Sequence, residues 1–272
     1  MCIVAIAWHL FDDLPLVLLS NRDEFLQRPT QPLHQWSDQP IYAGRDSQSG
    51  GTWLGIHQQQ QQVAAQNGRW AAVLNFRDGV QANNDERSRG ELVTSFLTSD
   101  LSPIAFARQI SLQDYAGFNL IIGDAKQAVI VNNRGHAPTA LHSGLHVFSN
   151  GQPDESWFKT EKLRGRLRQE VLPLIGENSC LEYWQDAALK VMYDKTPAPA
   201  DKLPETGVPK ALEQALSSVF IAPIVLNNAA INMPSYGTRT QSILTLRYKE
   251  KGNSEIKVAL MSREIFNTIL KD

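Results

Sequence analysis

The sequence predicts an α+β fold, two sheets covered by helices, in one domain spanning residues 1–272. Three observations lead there. Short apolar, β-branched runs cluster at the start, the middle and the end of the chain. Helical patterns fill two blocks between those clusters. No strand–helix–strand unit repeats, as a parallel sheet would require.

Cys2 to Trp8 is a β-branched apolar run and reads as a buried strand. Asp12, Asp13 and Pro15 supply a turn, so Leu16 to Ser20 reads as its hairpin partner. Residues Asn21 to Asp38 are polar, carry prolines at 29 and 32, and read as loop. Ile41 to Asp46, Gly50 to Gly55 and Trp70 to Phe76 read as successive strands punctuated by glycine, with the run Gln58 to Gln62 as a hairpin tip. Helices are expected over Asp85 to Leu97 and after the Ser102-Pro103 start signal. Strands return at Phe118 to Gly123, Ala128 to Asn132 and Leu145 to Ser149. Asp154 to Val171, stopped by Pro173, and Leu181 to Tyr193 read as helices. Pro197, Pro199 and Pro204 mark a surface loop, Lys210 to Val219 a helix, and Arg239 to Tyr248 a strand paired with Glu255 to Leu260; a short terminal helix follows.

Composition removes several function classes. The 272 residues are 42% hydrophobic and 20% charged, with a formal net charge of −2, which gives no electrostatic case for nucleic acid or an anionic membrane. No stretch approaches the ~20 apolar residues of a membrane span. Two cysteines, Cys2 and Cys180, make no disulfide framework, and the apolar start lacks the length and basic flank of a secretory signal; a reducing cytoplasm is the expected location.

Cys2 is the first chemical candidate. Removal of the initiator methionine would free an α-amine with a pKa of about 7.7–8.0 beside a thiol, a base next to its own nucleophile. The alternative is a small buried hydrophobe in a strand. Asn21-Arg22-Asp23-Glu24 is the second candidate, since Arg22 offers a planar fork to a thiolate or carboxylate and Asp23 could accept from the freed amine. A solvated turn would have the same composition. If the first two strands pair antiparallel, this tetrapeptide returns to the beginning of the chain and Cys2 meets Arg22 and Asp23.

Met1-Cys2-Ile3, Asn21-Arg22-Asp23-Glu24, Gly44-Arg45-Asp46 and Gly50-Gly51-Thr52-Trp53-Leu54-Gly55 together resemble the NRDE family, the transport and Golgi organisation 2 family. Val73 to Arg77, Ser88 to Val93, Gly117 to Leu120, Ser149-Asn150-Gly151, Trp157-Phe158-Lys159 and Tyr236 to Thr240 extend the likeness, in order, over almost the whole chain. The resemblance implies a four-layer αββα N-terminal-nucleophile hydrolase-like sandwich, similar to the choloylglycine and penicillin acylase branch. It implies Cys2 as nucleophile, Arg22 steadying the thiolate, Asp23 binding the α-amine, Asn75 as an oxyanion donor, Asn150 as a second polar anchor and Arg239 as a late arginine of the pocket.

Two functions follow from that resemblance. One is Cys2-dependent hydrolysis of an amide or thioester, requiring no cofactor. The alternative is a non-enzymatic pocket for haem trafficking or for acyl-coenzyme A and lipid handling, with haem as ligand. The partner is a small-molecule ligand or an acyl or amide substrate; the sequence leaves its identity and the oligomeric state open. No metal site is expected: His9, His34, His57, His136, His142 and His146 are scattered, and Gly144 argues against a helix presenting His142 and His146 together. A haem carrier could use one histidine or the Cys2 thiolate as axial ligand. Gly50-Gly51 lacks the spacing of a phosphate loop, and Cys180 reads as a packed thiol.

Overall fold

The computed structural model describes residues 2–58, 68–80, 83, 85–176, 181–228, 231–249 and 255–265. Strand β1 (Cys2–Phe11) turns into β2 (Leu14–Phe25), and the two pair antiparallel from Cys2↔Arg22 to Phe11↔Leu14. Strand β2 is followed by β3 (Thr30–Gln35), β4 (Ile41–Asp46), β5 (Leu54–His57) and β6 (Trp70–Asn75). Two helices, α1 (Arg89–Leu97) and α2 (Pro103–Gln109), lead to β7 (Phe118–Gly123), β8 (Ala128–Asn132), β9 (Thr139–Ala140) and β10 (Gly144–Phe148). Then come α3 (Phe158–Glu170), α4 (Leu172–Gly176), α5 (Leu181–Met192) and α6 (Lys210–Ala215). The last strands are β11 (Ile224–Asn228), β12 (Ile231–Tyr248) and β13 (Ile256–Glu264).

These strands form two sheets with antiparallel pairing throughout. One runs β10-β1-β2-β12-β11, with β13 also on β12; the other runs β3 to β9 in chain order. Side chains alternate along a strand, so each sheet has two faces to cover. Val4, Ile6, Leu16, Leu18 and Leu244 from the first sheet meet Leu54, Ile56, Trp70, Ala72 and Ile121 from the second. The other face of the first sheet presents Ile3, Ala5, Val17, Leu19 and Ile243 to Leu163, Leu167, Trp184, Ala188 and Val191 of α3 and α5. The outer face of the second sheet packs Ala71, Val73, Leu120 and Ile122 on Leu92, Val93 and Phe96 of α1. Burial on both faces is why β1 and β2 are continuous apolar runs rather than alternating ones.

The expected hairpin, both sheets and the pairing of β12 with β13 are present. Several boundaries differ. The polar stretch expected as loop continues β2 through Phe25, because β12 pairs with it from Tyr236↔Phe25 to Leu246↔Leu16 and supplies polar partners, and then forms β3, which pairs with β4 in the other sheet. Strand β12 itself starts at Ile231, eight positions before the expected Arg239. Helix α1 starts at Arg89 instead of Asp85 and α3 at Phe158 instead of Asp154; the Thr160 hydroxyl accepts from the Trp157 N–H at 3.1 Å and closes the first turn of α3. Gly50 to Trp53 is a turn, so only Leu54–His57 of that segment is strand. The glutamine run beyond Gln58, Cys180 and the expected terminal helix lie outside the described residues.

Asn21, the first residue of the polar tetrapeptide, is fully buried and joins three elements. Its amide donates to the carbonyls of Met192 and Val219, both at 2.8 Å, and its oxygen accepts from Gln241 at 3.3 Å. Replacing Asn21 by Ala leaves two buried carbonyls without this donor, so a loss of about 2–3 kcal/mol is expected in urea unfolding. An unchanged unfolding midpoint would show that these bonds contribute nothing net.

Candidate functional site

The hairpin register sets Cys2 directly opposite Arg22. Both face the space between the sheets, and there the apolar interior opens into a polar cleft of about 480 Å³. Cys2, Arg22, Asp23 and Asn75 line it together, with Trp53 and Arg89 among the remaining walls. Cys2 is a free thiol with 8% of its surface exposed.

Arg22 is held on several sides. Its guanidinium lies 4.1 Å from the centre of the Trp53 ring, with Asp46 at 3.4 Å, Thr30 at 3.3 Å and Glu24 at 3.8 Å. Arg28 shares the same carboxylates, at 2.6 Å from Asp46 and 4.0 Å from Glu24. Trp53 can lie under Arg22 only because position 44 is glycine: a Cβ there would come within 2.5 Å of the indole edge. A second close approach carries the wall of the cleft, since a Cβ on Gly51 would sit 2.7 Å from the Gly90 carbonyl carbon. The glycine-rich motif thus seats the first turn of α1 against the turn before β5.

Asp23 points to the opposite face of β2 from Arg22. Its carboxylate accepts from the Thr238 hydroxyl at 2.6 Å, and its backbone carbonyl from Tyr236 at 2.8 Å. The Asp23 backbone N–H reaches the Cys2 sulfur as a hydrogen-bond donor. Asn75 ends β6 with its side-chain amide in the cleft and no hydrogen-bond partner for it among the described residues.

Asn150 and Arg239 do not line the cleft; they brace it from behind. Asn150 is fully buried, and its amide donates to the Asn75 carbonyl at 2.8 Å. Arg239 donates to the Phe25 carbonyl at 3.3 Å and to the Arg28 carbonyl, which holds the chain as it leaves β2. Ser149 lies 3.1 Å from both the Cys2 carbonyl and the Asn150 side-chain oxygen. A hydroxyl has one proton to give. Lys159, 3.4 Å from the same Asn150 oxygen, can satisfy that acceptor and leave the serine proton for Cys2.

Lys159 is a buried polar residue to which the sequence reading assigned no role. It is 2% exposed, and its ammonium also lies 3.4 Å from the Leu216 carbonyl. The signal was present: Lys159, Leu163 and Leu167 are spaced by four and share the buried face of α3. Behind it Arg77 and Glu213 form a buried ion pair at 3.2 Å, with Arg77 4.6 Å above the Trp157 ring. A second missed set is Asn119, Asn132 and Gln152. Asn119 donates to the carbonyls of Ser149 and Gly151 at 3.1 and 2.8 Å, and Asn132 donates to Asn119 and Gln152 at 3.1 and 2.9 Å, fixing the turn that carries Asn150.

Burial dominates the electrostatics. It raises the Cys2 thiol, and the nearby Asp23 carboxylate raises it further, so the sulfur rests protonated at neutral pH and needs a base. Burial pushes Asp23 up to about 6, against the pull of Lys159. Burial and the adjacent Arg77 bring Lys159 down to about 7. Cys2, Asp23 and Asn75 thus share one opening, while Lys159 lies outside its lining, beside Asn150. His142 and His146 stand apart from it, their rings 4.6 Å apart near the start of β10.

Residues 1–256 match the family model described as Transport and Golgi organisation 2. The Homo sapiens "Transport and Golgi organization protein 2 homolog" is 31% identical over 90% of this chain and 88% of its own. The Bos taurus homolog is 30% identical with the same coverage, and the Drosophila melanogaster "Transport and Golgi organization protein 2" is 27% identical over 87% of this chain and 83% of its own. Among solved structures, the "Caenorhabditis elegans N-acylethanolamine-hydrolyzing acid amidase (NAAA) ortholog" superposes with a TM-score of 0.46 and 12% identity, over 82% of this chain and 100% of that one. At that likeness no residue role is carried across.

The Asp23 shift has a definite sign in stability. A carboxyl raised from 3.8 to about 6 binds a proton in the folded chain that the unfolded chain has already released, so folding loses stability as pH rises from about 4 to about 6. Asp23→Asn removes that loss. The stability difference between variant and wild type, followed by thermal unfolding at several pH values, should move in favour of the variant across this window. A difference independent of pH would show that Asp23 titrates as an ordinary carboxyl.

Proposed function

This chain belongs to the Transport and Golgi organisation 2 family, and from that premise we propose that its cleft is an N-terminal-nucleophile site in which Cys2 attacks an amide or thioester carbonyl. The observation that carries the reading is the Cys2↔Arg22 register, which brings a thiol at the head of the chain, the arginine and the Asn75 amide to one opening. The four-layer αββα architecture of such enzymes belongs to the same proposal. Helices cover both outer faces of the sheet pair, which supports it.

In this mechanism methionine removal exposes the α-amine of Cys2. The amine takes the thiol proton, and the thiolate bonds to the carbonyl carbon while the carbonyl π pair moves onto oxygen. Asn75 donates to that oxyanion, and Arg22 favours the thiolate over the thiol. The ammonium returns its proton to the departing nitrogen or sulfur as that bond breaks, leaving an acyl group on Cys2. Water, deprotonated by the same amine, then releases the acid. Asp23 holds the α-amine in place, Asn150 fixes Asn75 through its backbone carbonyl, and Arg239 keeps the β2 terminus in register.

Burial raises the thiol, so the adjacent base is a requirement of this mechanism. A carrier that holds haem or an acyl-coenzyme A in the same cleft would not need the free amine as a base.

Intact mass of the native protein, followed by turnover on a panel of N-acyl amides and acyl thioesters, tests the reading. The expected chain lacks Met1, and Cys2→Ala lowers turnover by at least about a hundredfold. A native chain that keeps Met1, or turnover indifferent to Cys2→Ala, overturns it. Lys159→Met should lower turnover by about tenfold without removing the nucleophile, because Asn150 then competes with Cys2 for the single Ser149 proton. Turnover equal to wild type would show that Lys159 is dispensable for positioning.

A further inference from the structure

Of the four arginines that line the Cys2 cleft, three make ion pairs among the described residues. Arg22 and Arg28 share Asp46 and Glu24. Arg87, at the rim, is tied to Glu91 at 2.6 Å and faces Asp114 at 3.7 Å. Arg89 lines the same cleft and makes no ion pair among the described residues; its one hydrogen bond there is to the Gly117 carbonyl at 3.1 Å.

The start of a helix is not a place that itself favours a cation. Arg89 is the first residue of α1, after Ser88. A positive charge there opposes the positive end of the helix dipole, a position that favours acidic residues. The side chain is half-buried, and burial lowers its pKa. Glu24, Cys2 and Glu86 are the acidic groups that act on it, and the residue lines the same cleft as the thiol. An arginine of this kind is a planar donor with unused N–H groups, suited to a carboxylate or a phosphate oxygen pair.

We infer that Arg89 is the anchor for an anionic group, carboxylate or phosphate, on the molecule that occupies the Cys2 cleft. This rests on the cleft being a ligand site and adds a substrate class to it: acyl compounds carrying a negative charge away from the reacting carbonyl. Arg89 is then a specificity-determining residue, since neutral acyl compounds of the same size leave it without a counter-charge.

Two thiol reagents of nearly equal size, iodoacetamide and iodoacetate, separate the claims. Alkylation of Cys2 in the full-length native protein is followed by peptide mass mapping, which distinguishes it from Cys180. The ratio of iodoacetate to iodoacetamide rates should fall about fivefold in Arg89→Gln and be largely kept in Arg89→Lys, the effect of one charge at short range in a half-open cleft. The ratio cancels any change in the thiol's own acidity, and the iodoacetamide rate shows whether the variant's cleft is intact. If the neutral reagent modifies Cys2 equally in both proteins and the ratio does not change, the anion anchor is wrong while the cleft stands. If neither reagent reaches Cys2 in the native wild type, the cleft reading itself fails. Inorganic phosphate and acetate, added at constant ionic strength, then identify the anion: the one that slows iodoacetamide in wild type but not in Arg89→Gln is the group Arg89 accepts.

Discussion

The antiparallel pairing of β1 with β2 is the constraint from which the rest of the site follows. An edge strand would leave Cys2 on a frayed terminus, but β1 lies between β10 and β2, and β2 lies between β1 and β12. Twenty positions of chain separate Cys2 from Arg22, and the register closes that distance to one cross-strand pair. The apolar residues that precede it on both faces hold the register, because a slip by one position would turn the inter-sheet core outward and bring Asn21 into the cleft in place of Arg22. The chemistry at the open end is therefore fixed by hydrophobic burial at the other.

Burying this many charged groups is unfavourable unless each is matched. Arg22, Arg28, Glu24 and Asp46 form one compensated group on the cleft side of the first sheet. Thr238 and Lys159 act on Asp23, and the Arg77–Glu213 pair acts in turn on Lys159. The strand alternation that separates Arg22 from Asp23 thus gives the polar tetrapeptide two sets of partners. Asn21 lies on the helix side and does structural work there, tying β2 to the end of α5 and to the segment before β11.

Much of this was legible from residues alone. The hairpin was readable because Asp12, Asp13 and Pro15 interrupt two apolar runs, and its direction alone brought the tetrapeptide to Cys2. The extension of β2 through Phe25 was not readable. A strand whose polar side chains are satisfied by a partner more than two hundred positions away has the composition of a loop until that partner is known, and Thr238 and Tyr236 are such partners. Asn150 and Arg239 were named as pocket residues by family likeness. Their geometry makes them braces instead, acting on Asn75 and on the β2 exit through backbone carbonyls.

What the sequence determined by itself was local and periodic: two sheets with helical cover, a thiol at the second position, and a polar cluster returning to meet it. These depend on alternation, turn chemistry and helix spacing, all of which operate within a few residues. Tertiary structure alone decided the rest. Lys159 is ordinary as a letter, and only the packing of α3 on the first sheet buries it beside Asn150. Arg89 is one of four arginines at the cleft, and only the spatial arrangement of carboxylates leaves it without an ion pair among the described residues while the others have one. Charge compensation is a property of neighbours in space, which no pattern along the chain can state.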